Sequence, residues 1–291
     1  MAAGRPAPGP LILDGIRLAS ERRFRLRERA ERVTRRRDRA PCLALVAFGN
    51  AGRAPHVQRK IESAHAAGVV AVPLIVPASA STDDALQKMH DGIASRSWDG
   101  VFLQFPFPDS VDGDRLAASI PEHADVDVMT PAGIRRYLGD ETADPPVTVA
   151  AGLALLDAYD VPVAAADGVV IAEPGPFATM FREALVRRSA GMRPVLEPER
   201  AAGNIGGAEL VIVAAARPGF LPAQAIPAGA VVIDAGYFNP GGRGDVDASG
   251  GMDHLRAIAR VPGGIGPMTV SMLIERVIQY AERPEPGRVP E

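Results

Sequence analysis

Residues 42–48 read CLALVAF, and this run, with the segments after it, decides the fold. A short, wholly apolar run of this length suits a strand buried on both faces, as in parallel sheets. GNAGRAP (49–55) then forms a Gly/Pro loop. HVQRKIESAHAAG (56–68) predicts a helix that stops at glycine. VVAVPLIVP (69–77) predicts a second strand, and STDDALQKMHDGIAS (81–95) a second helix with a capping Ser or Thr and acidic residues at its start. GVFLQFPFP (100–108) predicts a third strand stopped by prolines. This β-α-β-α-β order requires a parallel sheet with right-handed crossovers.

Working outward, residues 11–39 predict a basic amphipathic helix. After residue 147 the alternation resumes. VTVAAGLALLDAY (147–159) reads as helix, and residues 168–188 as strand, turn and helix. RPVLEP (193–198), ELVIVAAA (209–216) and AVVIDAGYF (230–238) read as strands, and MTVSMLIERVIQYAER (268–283) as a closing helix. At 291 residues the chain is long enough for two domains. The expected architecture is α/β, with two α/β domains, a cleft between them and a Rossmann-like second domain. The expected division is 1–148 plus 268–291 against 149–267.

Composition removes several classes. One cysteine, Cys42, excludes an internal disulfide framework and a cysteine-based zinc site, and no metal is expected. A net charge of −3 gives no reason to expect nucleic acid as a partner. No apolar run approaches the length of a transmembrane helix, and MAAGRPAPGP at the start lacks the apolar stretch of a signal peptide, so a cytoplasmic protein is expected. Of 32 basic residues only Lys60 and Lys88 are lysine, the rest being arginine.

Lys60 comes one helical turn after His56, so both share a face just after the C-terminal end of a strand, where open α/β sheets carry their sites. A buried lysine with a lowered pKa is a general base or proton shuttle; a solvated helix lysine is the plainer reading. Gln104 interrupts an apolar strand and needs partners, either backbone or a polar neighbour. Asp125 and Asp127 flank Val126 and in an extended segment face the same side; they suit loop capping or, without a nearby histidine and so as the weaker case, a metal. PGGIGPMT (262–269) leads three glycines into a helix start, which suits close backbone approach to a ligand or a tight turn. VVIAEPGPFA (169–178) lies where a dinucleotide-binding turn would be, but it has one glycine, Gly175, and Pro174 and Pro176 remove two N–H donors. Glu197, after the next strand, suits a ribose hydroxyl or a solvated surface.

The order of these strings resembles the bifunctional methylenetetrahydrofolate dehydrogenase/methenyltetrahydrofolate cyclohydrolase family over nearly the whole chain, as a divergent member. VFLQFPFP, ADVDVMTP, PVTV (146–149), VIVAAARPGFL, AVVIDAGYF and VPGGIGPMTVSML carry the likeness. The resemblance implies folate one-carbon chemistry, with a tetrahydrofolate derivative as substrate and NADP or NAD as cofactor. It implies Lys60 as the catalytic lysine and Gln104 as the glutamine that tunes it. His56 stands where the family stacks a tyrosine on the substrate. Asp127 is implied to hold the pterin ring, and Pro262, Gly263, Gly264 and Pro267 to line the folate site. Glu173, Pro174 and Tyr237 fall on the cofactor side, where Glu173 and Pro174 replace the arginine and serine that hold the NADP 2′-phosphate. The segment that is KDVDGF in the family is ADVDVM here and lacks the glycine. A homodimer is also implied. Alternatives are a specialised relative, cofactor-free or NAD-dependent, acting on a folate-bound one-carbon unit, and a folate-binding or regulatory protein without turnover.

Overall fold

A computed structural model describes residues 9–236 and 242–283. Its elements run β1 (Leu11–Ile12), α1 (Gly15–Arg37), β2 (Cys42–Phe48), α2 (Pro55–Ala66), β3 (Val70–Val76), α3 (Thr82–Ala94) and β4 (Gly100–Leu103). Short helices α4 (Gly113–Ala118) and α5 (Pro131–Gly139) precede α6 (Val147–Ala158). Then come β5 (Asp167–Ala172), α7 (Pro176–Val186), β6 (Gly191–Met192), α8 (Pro198–Asn204), β7 (Leu210–Ala214) and β8 (Leu221–Pro222). The chain continues through β9 (Val231–Asp234), β10 (Val246–Asp247), β11 (Ala257–Ala259) and α9 (Ile265–Glu282). No helix among the described residues is long and apolar enough to cross a membrane.

Two compact α/β units result. The first comprises Ser20–Val147 and residues 270–283; the second comprises residues 9–19 and Thr148–Thr269. This differs at the N-terminus from the division expected from sequence, which assigns the start of the chain to a helix of the first domain. Instead β1 pairs in parallel with β11, Leu11 opposite Ala257, and so joins the second sheet. A run as short as LILDG carries too little periodicity to tell strand from helix.

In the first unit β2 lies between β3 and β4, all parallel. Every residue of β2 is buried, because helices cover both of its faces. Leu43 and Leu45 pack on one face with Leu26, Ala30 and Val33 of α1 and Leu273, Ile274 and Val277 of α9. Ala44, Val46 and Phe48 face the other way, towards Ala85 and Met89 of α3. Arginines of α1 meet acids of α9: Arg29 makes a bidentate pair with Glu282 at 2.8 and 3.1 Å and reaches Glu275 at 2.9 Å. At the N-terminal edge of the sheet Asp99 is buried and accepts from Arg37 at 2.8 Å, Arg39 at 2.7 and 3.1 Å, and the Cys42 amide at 2.9 Å. One carboxylate thereby ties the end of α1 to the starts of β2 and β4.

The second unit has a parallel sheet ordered β1-β11-β9-β7-β5-β6. The sequence runs outward in both directions from β5 and β7, so a topological switch point lies between them. The expected strand at 193–198 is reduced to one bridge from Leu196 to Ile171, and the ladder strand β6 precedes it at Gly191–Met192; Pro194, with no N–H, cannot extend the ladder. The strand expected over 100–108 ends at Leu103, and the chain leaves the sheet through Gln104 and a cis Phe105–Pro106 bond.

Candidate active site

Lys60 and Gln104 meet above the C-terminal edge of the first sheet. Pro55 opens α2, where its fixed φ suits the first helical position, and Lys60 comes about one and a half turns later. Gln104 is the residue after β4; its amide still bonds the Val46 carbonyl at 2.9 Å, which fixes where its side chain starts. The Lys60 Nζ donates to Gln104 Oε1 at 2.5 Å. The Gln104 Nε2 donates to the Phe105 carbonyl at 2.7 Å, so the amide is held in the one orientation that offers its oxygen to the lysine. The Phe102 ring lies 4.9 Å from Nζ.

Burial lowers the Lys60 pKa to about 8, and the neighbouring carboxylate of Asp127 opposes that shift only in part. Burial also raises Asp127, to about 7, with Asp125 adding to the rise and the Val147 amide, Arg276 and Lys60 opposing it. Both groups therefore change charge close to neutrality. His56, half-buried one turn before Lys60, is held below its ordinary pKa by burial and by the positive charges of Lys60 and Arg59, so its imidazole is neutral near pH 7.

Asp125 and Asp127 do different work. Asp125 is fully buried and accepts from the Met129 and Thr130 amides, both at 3.0 Å, and from the Thr130 hydroxyl at 2.7 Å. That turn carries Val128 at φ 57°, a left-handed conformation costly for a β-branched residue. It leaves Asp127 to accept the Val147 amide at 3.1 Å. Sequence reading does not single out Arg276, yet this residue organises the corner. It is buried on α9 and donates to the carbonyls of Pro145 at 2.9 Å and Val126 at 3.5 Å, which come shortly before Val147 and Asp127 in the chain. Its one signal is a lone arginine in the largely apolar string MTVSMLIERVIQY. Lys60, Gln104, Asp127 and His56 thus all belong to the first unit.

Pro262, Gly263, Gly264 and Pro267 belong to the second unit, in the loop and first turn that open α9. The Val261–Pro262 bond is cis and Gly263 has φ 108°, which only glycine adopts freely. Gly263's carbonyl accepts from the Gly15 amide at 2.9 Å and the Ile16 amide at 3.2 Å. A Cβ on Gly15 would stand 1.9 Å from the Gly264 carbonyl oxygen. Gly15→Ala is therefore expected to displace this loop and to lower unfolding free energy by about 1–3 kcal/mol, read by urea denaturation; an unchanged midpoint would refute the packing argument.

At the switch point, β5 ends at Ala172 and α7 starts at Pro176. Gly175 caps α7 with extended backbone and no side-chain bond, and nothing lies within 4 Å of where its Cβ would be. Pro174 and Pro176 offer no N–H, but the second and third helical residues, Phe177 and Ala178, lack partners within the helix by construction. A pyrophosphate thus fits this turn, with fewer donors than a glycine-rich one supplies. Glu173 is exposed beside it, and Tyr237 lies outside the described residues.

Residues 13–127 match the tetrahydrofolate dehydrogenase/cyclohydrolase catalytic domain, and residues 146–285 match the NAD(P)-binding domain of the same family. The chain is 30% identical over 276 residues to a "Bifunctional protein FolD" of Shouchella clausii, covering 94% of this chain and 98% of that protein. It is 34% identical over 256 residues to "Bifunctional protein FolD 1" of Saccharopolyspora erythraea, covering 85% and 86%. The crystal structure of the bifunctional methylenetetrahydrofolate dehydrogenase/cyclohydrolase from Campylobacter jejuni superposes with a TM-score of 0.83 at 25% identity, covering 93% of this chain and 98% of that one.

Proposed function

The chain belongs to the tetrahydrofolate dehydrogenase/cyclohydrolase family, and from that premise we propose that it is a folate one-carbon enzyme which oxidises methylenetetrahydrofolate and hydrolyses methenyltetrahydrofolate, with Lys60 as the proton shuttle. The observation that carries the lysine's role is the Lys60–Gln104 contact at 2.5 Å on an amine whose pKa is lowered to about 8.

These groups suffice for the hydrolysis. Methenyltetrahydrofolate presents a cationic carbon between two nitrogens. Neutral Lys60 takes a proton from water as the water oxygen bonds to that carbon. The C–N bond to one nitrogen then breaks, and the lysine returns its proton to that nitrogen. The remaining hydroxyl proton leaves to solvent and a formyl group stays on the other nitrogen, so one proton is released per turnover. Gln104 accepts from the amine and fixes where it points; its own orientation is set by the Phe105 carbonyl. The family resemblance supports Asp127, which accepts the Val147 amide, as an acceptor for the N–H groups of a pterin ring. His56 presents a flat neutral ring in place of a stacking phenol, and the family resemblance supports a folate-binding role for Pro262, Gly263, Gly264 and Pro267. In the oxidation the chemistry a bound dinucleotide supplies is acceptance of a hydride from the methylene carbon. Gly175, Phe177 and Ala178 would hold its pyrophosphate. The family resemblance further supports a cytoplasmic homodimer, which light scattering on the purified protein tests.

The pH profile tests the base. The reactive form is the neutral amine, so kcat for methenyl hydrolysis, after subtraction of the uncatalysed rate, is expected to rise about tenfold per pH unit below pH 8 and to level above it. A rate that falls as pH rises through 8 would mean that the lysine acts as a cation.

A further inference from the structure

The geometry points to a dinucleotide site in the second unit that selects NAD over NADP, with Glu197 as the residue that reads the adenosine ribose. This rests on the dehydrogenase half of the proposed function and specifies its co-substrate.

Three carboxylates collect at the switch point. Leu196 runs alongside β5: its amide donates to the Val170 carbonyl at 2.9 Å and its carbonyl accepts from Ala172 at 3.1 Å. Glu197 therefore stands just past the end of the strand next to β5, about 20 residues after the Gly175 turn, where dinucleotide folds place the acid that accepts from the ribose hydroxyls. Glu173 lies at the end of β5 itself and Glu199 in the first turn of α8. All three are exposed.

Arg217, just beyond β7, is the cation that could receive a 2′-phosphate, and it is already committed. It pairs with Glu173 and with Glu199, each at 2.5 Å. Its position is fixed from beneath. Buried Asp245 gathers the amides of Ala215 at 2.6 Å, Ala216 at 3.2 Å and Arg217 at 2.7 Å. Asp234 in turn holds the amides of Asp245 and Val246 at 3.1 and 3.0 Å. The backbone turn that presents Arg217 is thus fixed, and the guanidinium it presents pairs with both glutamates. Arg200, exposed on α8 and 3.7 Å from Glu197, is a second nearby cation, itself paired.

A 2′-phosphate brings a charge of about −1.5 to −2. At this site it meets three carboxylates against two arginines, both of which already pair with those carboxylates. An unphosphorylated ribose brings two hydroxyl donors, which a carboxylate accepts without cost in charge. The preference is therefore built from repulsion of one ligand as much as from attraction of the other.

Calorimetric titration of the purified protein with NAD and with NADP is the test. The expected Kd for NAD is at least tenfold below that for NADP. Glu197→Gln, an exposed and near-isosteric change, is expected to narrow that ratio at least fivefold by weakening NAD and strengthening NADP. Equal or tighter binding of NADP, or a ratio unmoved by Glu197→Gln, overturns the inference and leaves the folate activities standing. Absence of binding by both nucleotides overturns the inference together with the dehydrogenase reading, whereas methenyl hydrolysis, measured without nucleotide, reports on the lysine chemistry alone.

Discussion

Lys60→Met is expected to lower kcat for methenyltetrahydrofolate hydrolysis by about 10²–10⁴-fold, the usual range for removing a positioned proton-transfer group. The measurement is loss of methenyl absorbance on adding protein, and identical rates for wild type and variant would end the assignment. Met keeps much of the length of the side chain beside Phe102 and removes the amine, so substrate binding should change far less than kcat. The same variant should be more stable, and linkage sets the sign. Lys60 has a folded pKa of about 8 against an ordinary value of 10.5. Between those values the unfolded chain binds more protons than the native one, so the lysine's contribution to stability improves as pH rises through that window. Below pH 8 the buried charge is a full penalty. Lys60→Met should therefore raise Tm at pH 7, with the advantage fading towards pH 10.5. A variant that is inactive yet more stable separates loss of chemistry from loss of fold.

Asp99→Ala is expected to cost about 3–5 kcal/mol of unfolding free energy, the range for breaking a buried pair by deleting one partner. The Asp99 side chain is only 4% exposed and that of Arg37 only 9%. Removing the carboxylate takes the counter-charge from a guanidinium held away from solvent, and the neutral Ala281 carbonyl, 2.8 Å from it, does not replace that charge. It also orphans the Cys42 amide at the head of the central strand. Arg39 is more exposed and can turn to water, so Arg39→Ala should cost distinctly less. Chemical denaturation of the two variants checks the order; equal losses would mean that Arg37 finds another anion.

The central β-α-β-α-β run is legible in the sequence because each link is written locally: apolar runs, a Gly/Pro loop, and a helix with a complete capping box at Ser81 and Asp84. Lys60 and Gln104 are legible because each breaks a local pattern, a lysine in an arginine-rich chain and an amide in an apolar strand. Tertiary partners decide the features that stay hidden. Leu11–Ile12 becomes a strand only because β11 offers an edge. The two carboxylates of ADVDVM belong on one side if the segment is extended, but the positive φ of Val128 and the turn closed by Asp125 assign them separate partners. The pairing of Arg217 with Asp245 carries no local signal, because it spans 28 residues and is made through a backbone amide.

The split composition of the first unit has a consequence for how the protein is made. The central strand β2 emerges from the ribosome long before part of its cover, Leu273, Ile274 and Val277 of α9, is translated. Until then a nascent chain carries a sheet whose Leu43 and Leu45 face is covered only in part, by Leu26, Ala30 and Val33 of α1, and stays open to whatever chaperone or neighbouring chain is at hand. Premature stop codons anywhere before α9 should therefore yield an aggregation-prone product rather than a smaller working domain.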